Sequence, residues 1–267
     1  MPHPARSLTR RIAAAALAIA ALAIITTPGT AMAKDWKEIR IGTEGAYPPF
    51  NNLNAKGELE GFEIDYANML CEKMKVKCTW VAQDWDGIIP ALLASKYDVI
   101  IAGMNATEER AKKVDFTHTY TRVPPAFIGP VKTASADVSP AALKGKVIGA
   151  QASTIHMNFL EKYYAGSTLK GYPTQEEANQ DLANGRLDYV IADKVALLDF
   201  IGDKGKACCK LIADVARDNA IHGDGVAMAL RKEDADLKAM WNKAIDESMA
   251  DGSFKKIAAK YFAFDIM

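Results

Sequence analysis

Short apolar strands alternate with amphipathic helices along this chain, and the alternation begins twice. In the first series "EIRIGTE" (38–44) reads as a strand and is followed by a Gly-Ala-Tyr-Pro-Pro loop. "GFEIDYANMLCEKMK" (61–75) has helical spacing, "CTWVA" is a strand, "WDGIIPALLAS" a helix containing Pro90, and "YDVIIAG" a strand bounded by Gly103. After "TRVPPAFIGP" (121–130) the pattern restarts. "KGKVIGAQ" is a strand, "STIHMNFLEKYY" a helix, "QEEANQDLANG" a helix, "RLDYVIAD" a strand and "KVALLDFIG" a helix. Such alternation argues for parallel α/β sheets, here in two lobes. The last part, beginning "GVAMALRK", reads as a strand and two amphipathic helices that return to the first lobe. The expected division is 34–122 with 221–267 as lobe 1, and 123–220 as lobe 2. Crossings stiffened by Pro124-Pro125 are too short to be flexible tethers, so they suggest a hinge beside a cleft.

The first 33 residues stand apart from this pattern. "MPHPARSLTRR" is basic, "IAAAALAIAALAII" is an unbroken apolar run, and "TTPGTAMA" ends in small residues spaced as Ala31-x-Ala33. That is the pattern of a secretory signal peptide cleaved after Ala33, with an apolar core short for a membrane span. No cysteine follows the apolar run, which argues against a lipid anchor. Cleavage removes Arg6, Arg10 and Arg11, leaving 30 basic and 33 acidic residues, a formal charge of −3. So balanced a surface gives no electrostatic footprint for nucleic acid or anionic lipid.

The four cysteines are expected to meet an oxidising compartment. Cys71 and Cys78, in "CEKMKVKC", lie near a helix end and at the start of the next strand, close enough for a disulfide. Cys208-Cys209 are adjacent and bridge only through an eight-membered ring; their state is open. Neither pair has the spacing of zinc ligands. His118, His156 and His222 show no metal or nucleophile arrangement and are read as structural, as are Met69 and Met104.

A few polar residues fall where elements end. Arg110 lies one turn into the helix after "AGMN". Its planar fork suits a carboxylate, although an arginine there is also an ordinary solvated helix charge. Ser153 and Thr154 in "QAST" open a helix, where unpaired N–H groups either receive a cap or favour an anion. Asp193 ends the strand "YVIAD" and is either a helix N-cap or an acceptor. Tyr47 sits in the Gly/Pro loop, Trp85 between two aspartates and Glu44 at the end of the first strand.

The segments "IGTEGAYPPF", "GFEIDYANMLCEKM", "WDGIIPALLASKYDVIIAGMNATEERAKKVDFT", "GRLDYVIAD" and "LRKEDADLKAMWNKAIDESMADGSFKKIAAKYF" occur in the order of a known family. They are similar to periplasmic polar amino-acid-binding proteins of ABC importers. Nearest are the lysine/arginine/ornithine, histidine, arginine and opine binders. The resemblance covers essentially all of 36–264. It implies a type II periplasmic-binding-protein fold, with two α/β lobes, the first discontinuous, closing on the ligand at a hinge. It implies Arg110 as a carboxylate clamp, helped by the N–H groups of Asn105 and Thr154 in the "QAST" turn with Ser153. Asp193 would take the ammonium with the Gly103 carbonyl and the Asn105 side chain, although Asn105 departs from the serine or aspartate frequent there. Tyr47 and Trp85 would sandwich the ligand side chain at the cleft rim, and Glu44 would meet a distal positive group. Periplasmic location, permease subunits in the inner membrane as partners, a monomer and no cofactor follow from the same resemblance. The alternative is an enzyme, since cyclohexadienyl or arogenate dehydratases share this fold and much of this pattern.

Overall fold

The computed structural model describes Met1 and residues 34–267, so the signal-peptide reading lies outside the described residues. In chain order the first strands are β1 (Glu38–Thr43), β2 (Ala46–Tyr47), β3 (Asn51–Leu53) and β4 (Leu59–Glu60). Helix α1 (Phe62–Met74), β5 (Lys77–Ala82), α2 (Ile88–Leu93), β6 (Val99–Ile100), α3 (Glu108–Ala111) and β7 (Asp115–Phe116) complete the first series. The second holds β8 (Pro125–Pro130), β9 (Val147–Gln151), α4 (Ile155–Tyr163), β10 (Thr168–Tyr172), α5 (Gln175–Ala183), β11 (Tyr189–Asp193), α6 (Lys194–Gly202) and β12 (Cys209–Asp214). Then come α7 (Asn219–His222), β13 (Ala229–Leu230), α8 (Ala235–Ala250) and α9 (Ser253–Ala258).

Two five-stranded sheets result, ordered β5-β1-β6-β13-β7 and β10-β9-β11-β8-β12, beside a small sheet β2-β3-β4. The expectation of parallel sheets needs correcting. β5, β1 and β6 are parallel, as are β10, β9 and β11, but β13 runs antiparallel to β6 and β7. β8 likewise runs antiparallel to β11 and β12. The reason is chain reversal at the crossings. "PAFIGP" enters the second sheet directly as a strand, with Ile128 opposite Val190, instead of following a helical crossover.

The C-terminal helices pack on the first sheet, as their apolar spacing suggested. Trp241, Ile245 and Phe254 share a buried cluster with Ile39, Ile41, Phe62 and Leu70. A second cluster, around Ile88, Leu92 and Tyr97, covers that sheet's other face. The second sheet is also buried on both faces, by Leu182, Val190 and Leu197 on one and Phe127, Leu160 and Ile191 on the other. Burial of both faces is why these strands read as continuous apolar runs.

Between the sheets the two crossing segments pair with each other. Val226 bridges both Asn105 and Thr121, with Val226 N donating to Thr121 O at 2.8 Å and Tyr120 N to Val226 O at 3.0 Å. Arg217 Nη1 adds a bond to Val123 O at 3.0 Å. Gly223, at φ +63°, passes so close to Ala106 O that a Cβ would lie 1.9 Å away; only glycine fits.

Cys71 and Cys78 form a disulfide joining the end of α1 to β5. Cys208 and Cys209 are also joined, which resolves the pair left open above.

Candidate functional site

Four strands of the two sheets present their carboxyl ends to one cavity. In open α/β sheets that is where ligands bind, because strand ends leave polar backbone and helix N-termini uncovered. Glu44 follows β1, Gly103 and Asn105 follow β6, Gln151 ends β9 and Asp193 ends β11. The cavity is lined by Glu44, Tyr47, Trp85, Gly103, Asn105, Arg110, Thr154 and Asp193, together with Gln151, His156 and Gln175. Ser153 stands just outside, and its carbonyl accepts a hydrogen bond from Trp85 Nε1 at 3.1 Å.

Arg110 is half-buried beside the cavity rather than solvated on its helix. Thr107 caps α3 by accepting from Arg110 N, and the guanidinium Nη1 donates to Asn105 O at 3.0 Å. One face of Trp85 carries the guanidinium carbon, 5.1 Å from the ring centroid. Loss of water pushes the Arg110 pKa down to about 10, against the charges of Glu109 and Asp193. It remains a full cation at neutral pH, able to hold an anion in a water-poor site.

Thr154 is the cap of α4: its hydroxyl accepts from Met157 N at 3.2 Å and donates to Gln151 O at 2.7 Å. Ser153, at φ +57°, turns the chain sharply from β9 into that cap. A left-handed non-glycine residue costs on the order of 1–2 kcal/mol and marks a conformation the surroundings impose. Thr154, Ile155 and His156, at the N-terminal and dipole-positive end of α4, line the cavity.

Asp193 occupies the N-cap position of α6 but makes no capping bond with its side chain. Its carboxylate instead accepts from Tyr47 Oη at 3.0 Å and lies 3.6 Å from His156 Nε2. Tyr47, expected at the rim, is buried and stacks on Phe50 at a centroid distance of 5.9 Å. Gly103, at φ +60°, donates its N–H to Glu63 Oε1 at 2.7 Å. The buried Glu63 also accepts from Asn51 Nδ2 at 2.8 Å and Tyr120 Oη at 2.5 Å. Asn51 in turn accepts from Gly45 N at 2.8 Å, so one carboxylate braces both first-lobe loops of the cavity.

Glu44 is buried, and burial raises its pKa from the usual 4.5 to about 7. A hydrogen bond from Gln151 opposes that rise, while the charges of Asp84, Asp86 and Glu63 add to it. Gln151, His156 and Gln175 were not singled out as site residues in the sequence. Gln151 had a legible signal, since it ends "VIGAQ" as Asp193 ends "YVIAD". His156 has none: as the second residue of α4 it reads as structural, yet it is buried against the cavity with Nδ1 unpartnered.

The model for bacterial extracellular solute-binding proteins, family 3, matches residues 39–264. The chain belongs to this family. Its relatives include the L-arginine-binding protein of Pseudomonas aeruginosa, 42% identical over 94% of this chain and 97% of that protein. The lysine/arginine/ornithine-binding periplasmic protein of Escherichia coli is 36% identical, again over 94% and 97%. Among solved structures, a periplasmic His/Glu/Gln/Arg/opine family-binding protein from Silicibacter pomeroyi in complex with lysine superposes with a TM-score of 0.76 at 35% identity. That superposition covers 86% of this chain and 99% of the other. The solute-binding protein described here therefore shares its fold with a lysine-bound relative over most of its chain.

Proposed function

We propose that this chain is the periplasmic component of an ABC importer and captures a cationic amino acid. The candidates are arginine, lysine, ornithine, histidine and an opine such as octopine. The observation that carries this reading is the charge set of the cavity. Two carboxylates, Glu44 and Asp193, and one guanidinium, Arg110, line a single buried space. An amino acid with an α-carboxylate, an α-ammonium and a distal cation supplies the complementary set, and each buried charge then has a partner. Arg110 and the Thr154 N–H take the carboxylate. Asp193, the Gly103 carbonyl and Asn105 take the ammonium. Glu44 takes the distal group, with Tyr47 and Trp85 beside the side chain. The relatives named for arginine and for lysine/arginine/ornithine support the same ligand class.

The site draws on residues 34–122 and 221–267 as one lobe and 123–220 as the other, so the ligand joins them. Binding then favours the closed arrangement, because only there are both halves of the carboxylate clamp in reach. After cleavage at Ala33 the protein works as a monomer in the periplasm and hands its ligand to permease subunits. It needs no cofactor and is not an enzyme. Extraction of the purified protein followed by untargeted mass spectrometry tests the reading. Recovery of a cationic amino acid or opine supports it. A neutral or acidic amino acid would overturn the cationic assignment, and turnover of arogenate or prephenate would make the protein a dehydratase.

A further inference from the structure

Gln151 is 3% exposed at the last position of β9, and both amide hydrogens are used. Nε2 donates to Glu44 Oε1 at 2.6 Å and to Pro173 O at 3.1 Å. The Pro173 carbonyl fixes the amide's orientation, since a flipped amide would place its oxygen against two acceptors. Gln151 can therefore present only a donor to position 44. The bond is short, buried and runs from the second sheet to the residue after the first strand of the first sheet.

We infer that Gln151 is a positioning residue for specificity: it aims the Glu44 carboxylate into the cavity and stabilises its charge there. The inference rests on the cationic-ligand reading, because a charged Glu44 matters only if it meets a cation. Three other acids act on the Glu44 charge: Asp84 and Asp86, in the turn before α2, and Glu63 on α1. Tyr47 also feels its charge. Against these, Gln151 is the side chain that donates a hydrogen bond to the Glu44 carboxylate among the described residues. A donor held in place favours the ionised form of an acid that burial and like charges disfavour.

The test compares wild type with Gln151→Leu and Gln151→Asn, the second withdrawing the amide by one methylene while keeping it polar. Carboxyl carbon NMR, with Glu44→Gln to assign the signal, follows the Glu44 titration with no amino acid added. The midpoint should rise by about one unit or more in both variants. Arginine affinity at pH 7 should then fall about fivefold and recover by about pH 9, as the fraction ionised recovers. A purely structural role would lower affinity equally at both pH values and leave the midpoint in place. Either of those results overturns the inference, and if Gln151→Leu does not fold, Gln151→Asn decides it alone. A wild-type protein indifferent to arginine and lysine would instead overturn the ligand reading, while the NMR midpoint would still report on Gln151.

Discussion

Tyr47 and Asp193 hold each other from different sheets: Tyr47 Oη donates to Asp193 Oδ2 at 3.0 Å, and Asp193 N donates back to Tyr47 Oη at 3.3 Å. Asp193 is the acid proposed for the ligand's ammonium, so the hydroxyl shares its acceptor with the ligand. Asp193→Asn should cost roughly 2–5 kcal/mol of binding, the range for removing one partner of a buried charged pair. Tyr47→Phe should change affinity by less than about 1.5 kcal/mol, since it removes one neutral donor and keeps the ring. Calorimetry on both variants checks the contrast. Wild-type affinity in Asp193→Asn would remove it from the ammonium site.

Arg110 is expected to be the residue least tolerant of change. Arg110→Lys keeps the charge and loses the fork, whereas Arg110→Ala should nearly abolish binding, a loss of roughly 2–5 kcal/mol. Calorimetry on the folded variants reads this directly. A wild-type constant for Arg110→Ala would return the residue to a mere helix charge packed on Trp85.

Glu44 makes stability and binding respond to pH in opposite directions. Its folded pKa, about 7, lies above the ordinary 4.5. The neutral form is therefore the one the fold favours. Its stabilising contribution is complete below about 4.5, falls as pH rises toward 7, and amounts to about 3 kcal/mol in full. Cationic ligands need the ionised form, so their affinity should rise as pH passes through about 7. Thermal melts of wild type and Glu44→Gln across this range should differ in slope, with the dependence absent in the variant. Parallel slopes would show that Glu44 titrates normally.

Much of the architecture was legible because apolar periodicity reports burial. Helix α6 matches "KVALLDFIG" residue for residue, and α8 and α9 pack where their stripes implied. What escaped was pairing between distant segments. "PAFIGP" looked like a passage between lobes because two prolines precede its apolar residues, yet it pairs with β11 and β12. Within the site, Arg110, Thr154 and Asp193 were legible because they sit where strands end and helices begin. The partnership of Gln151 with Glu44 spans 107 positions of sequence. His156 faces the cavity only because α4 turns it there. No local pattern encodes either relationship.

The Cys71–Cys78 bridge closes a short loop between α1 and β5. Replacing both cysteines by serine should lower unfolding free energy by about 2–3 kcal/mol, mainly by freeing the unfolded chain. Urea denaturation checks it, with ligand preference unchanged because neither cysteine lines the cavity.

The measurement that bears most directly on the proposed function is calorimetry of the unfolded-and-refolded, ligand-stripped protein against a panel of amino acids. Arginine, lysine, ornithine, histidine and octopine stand on one side, with glutamine and glutamate on the other. At least one cationic compound should bind more tightly than either of the others by roughly 1–3 kcal/mol, because only it gives the buried Glu44 carboxylate a positive charge to pair with. Preference for glutamine or glutamate over every cationic compound would contradict the cationic assignment.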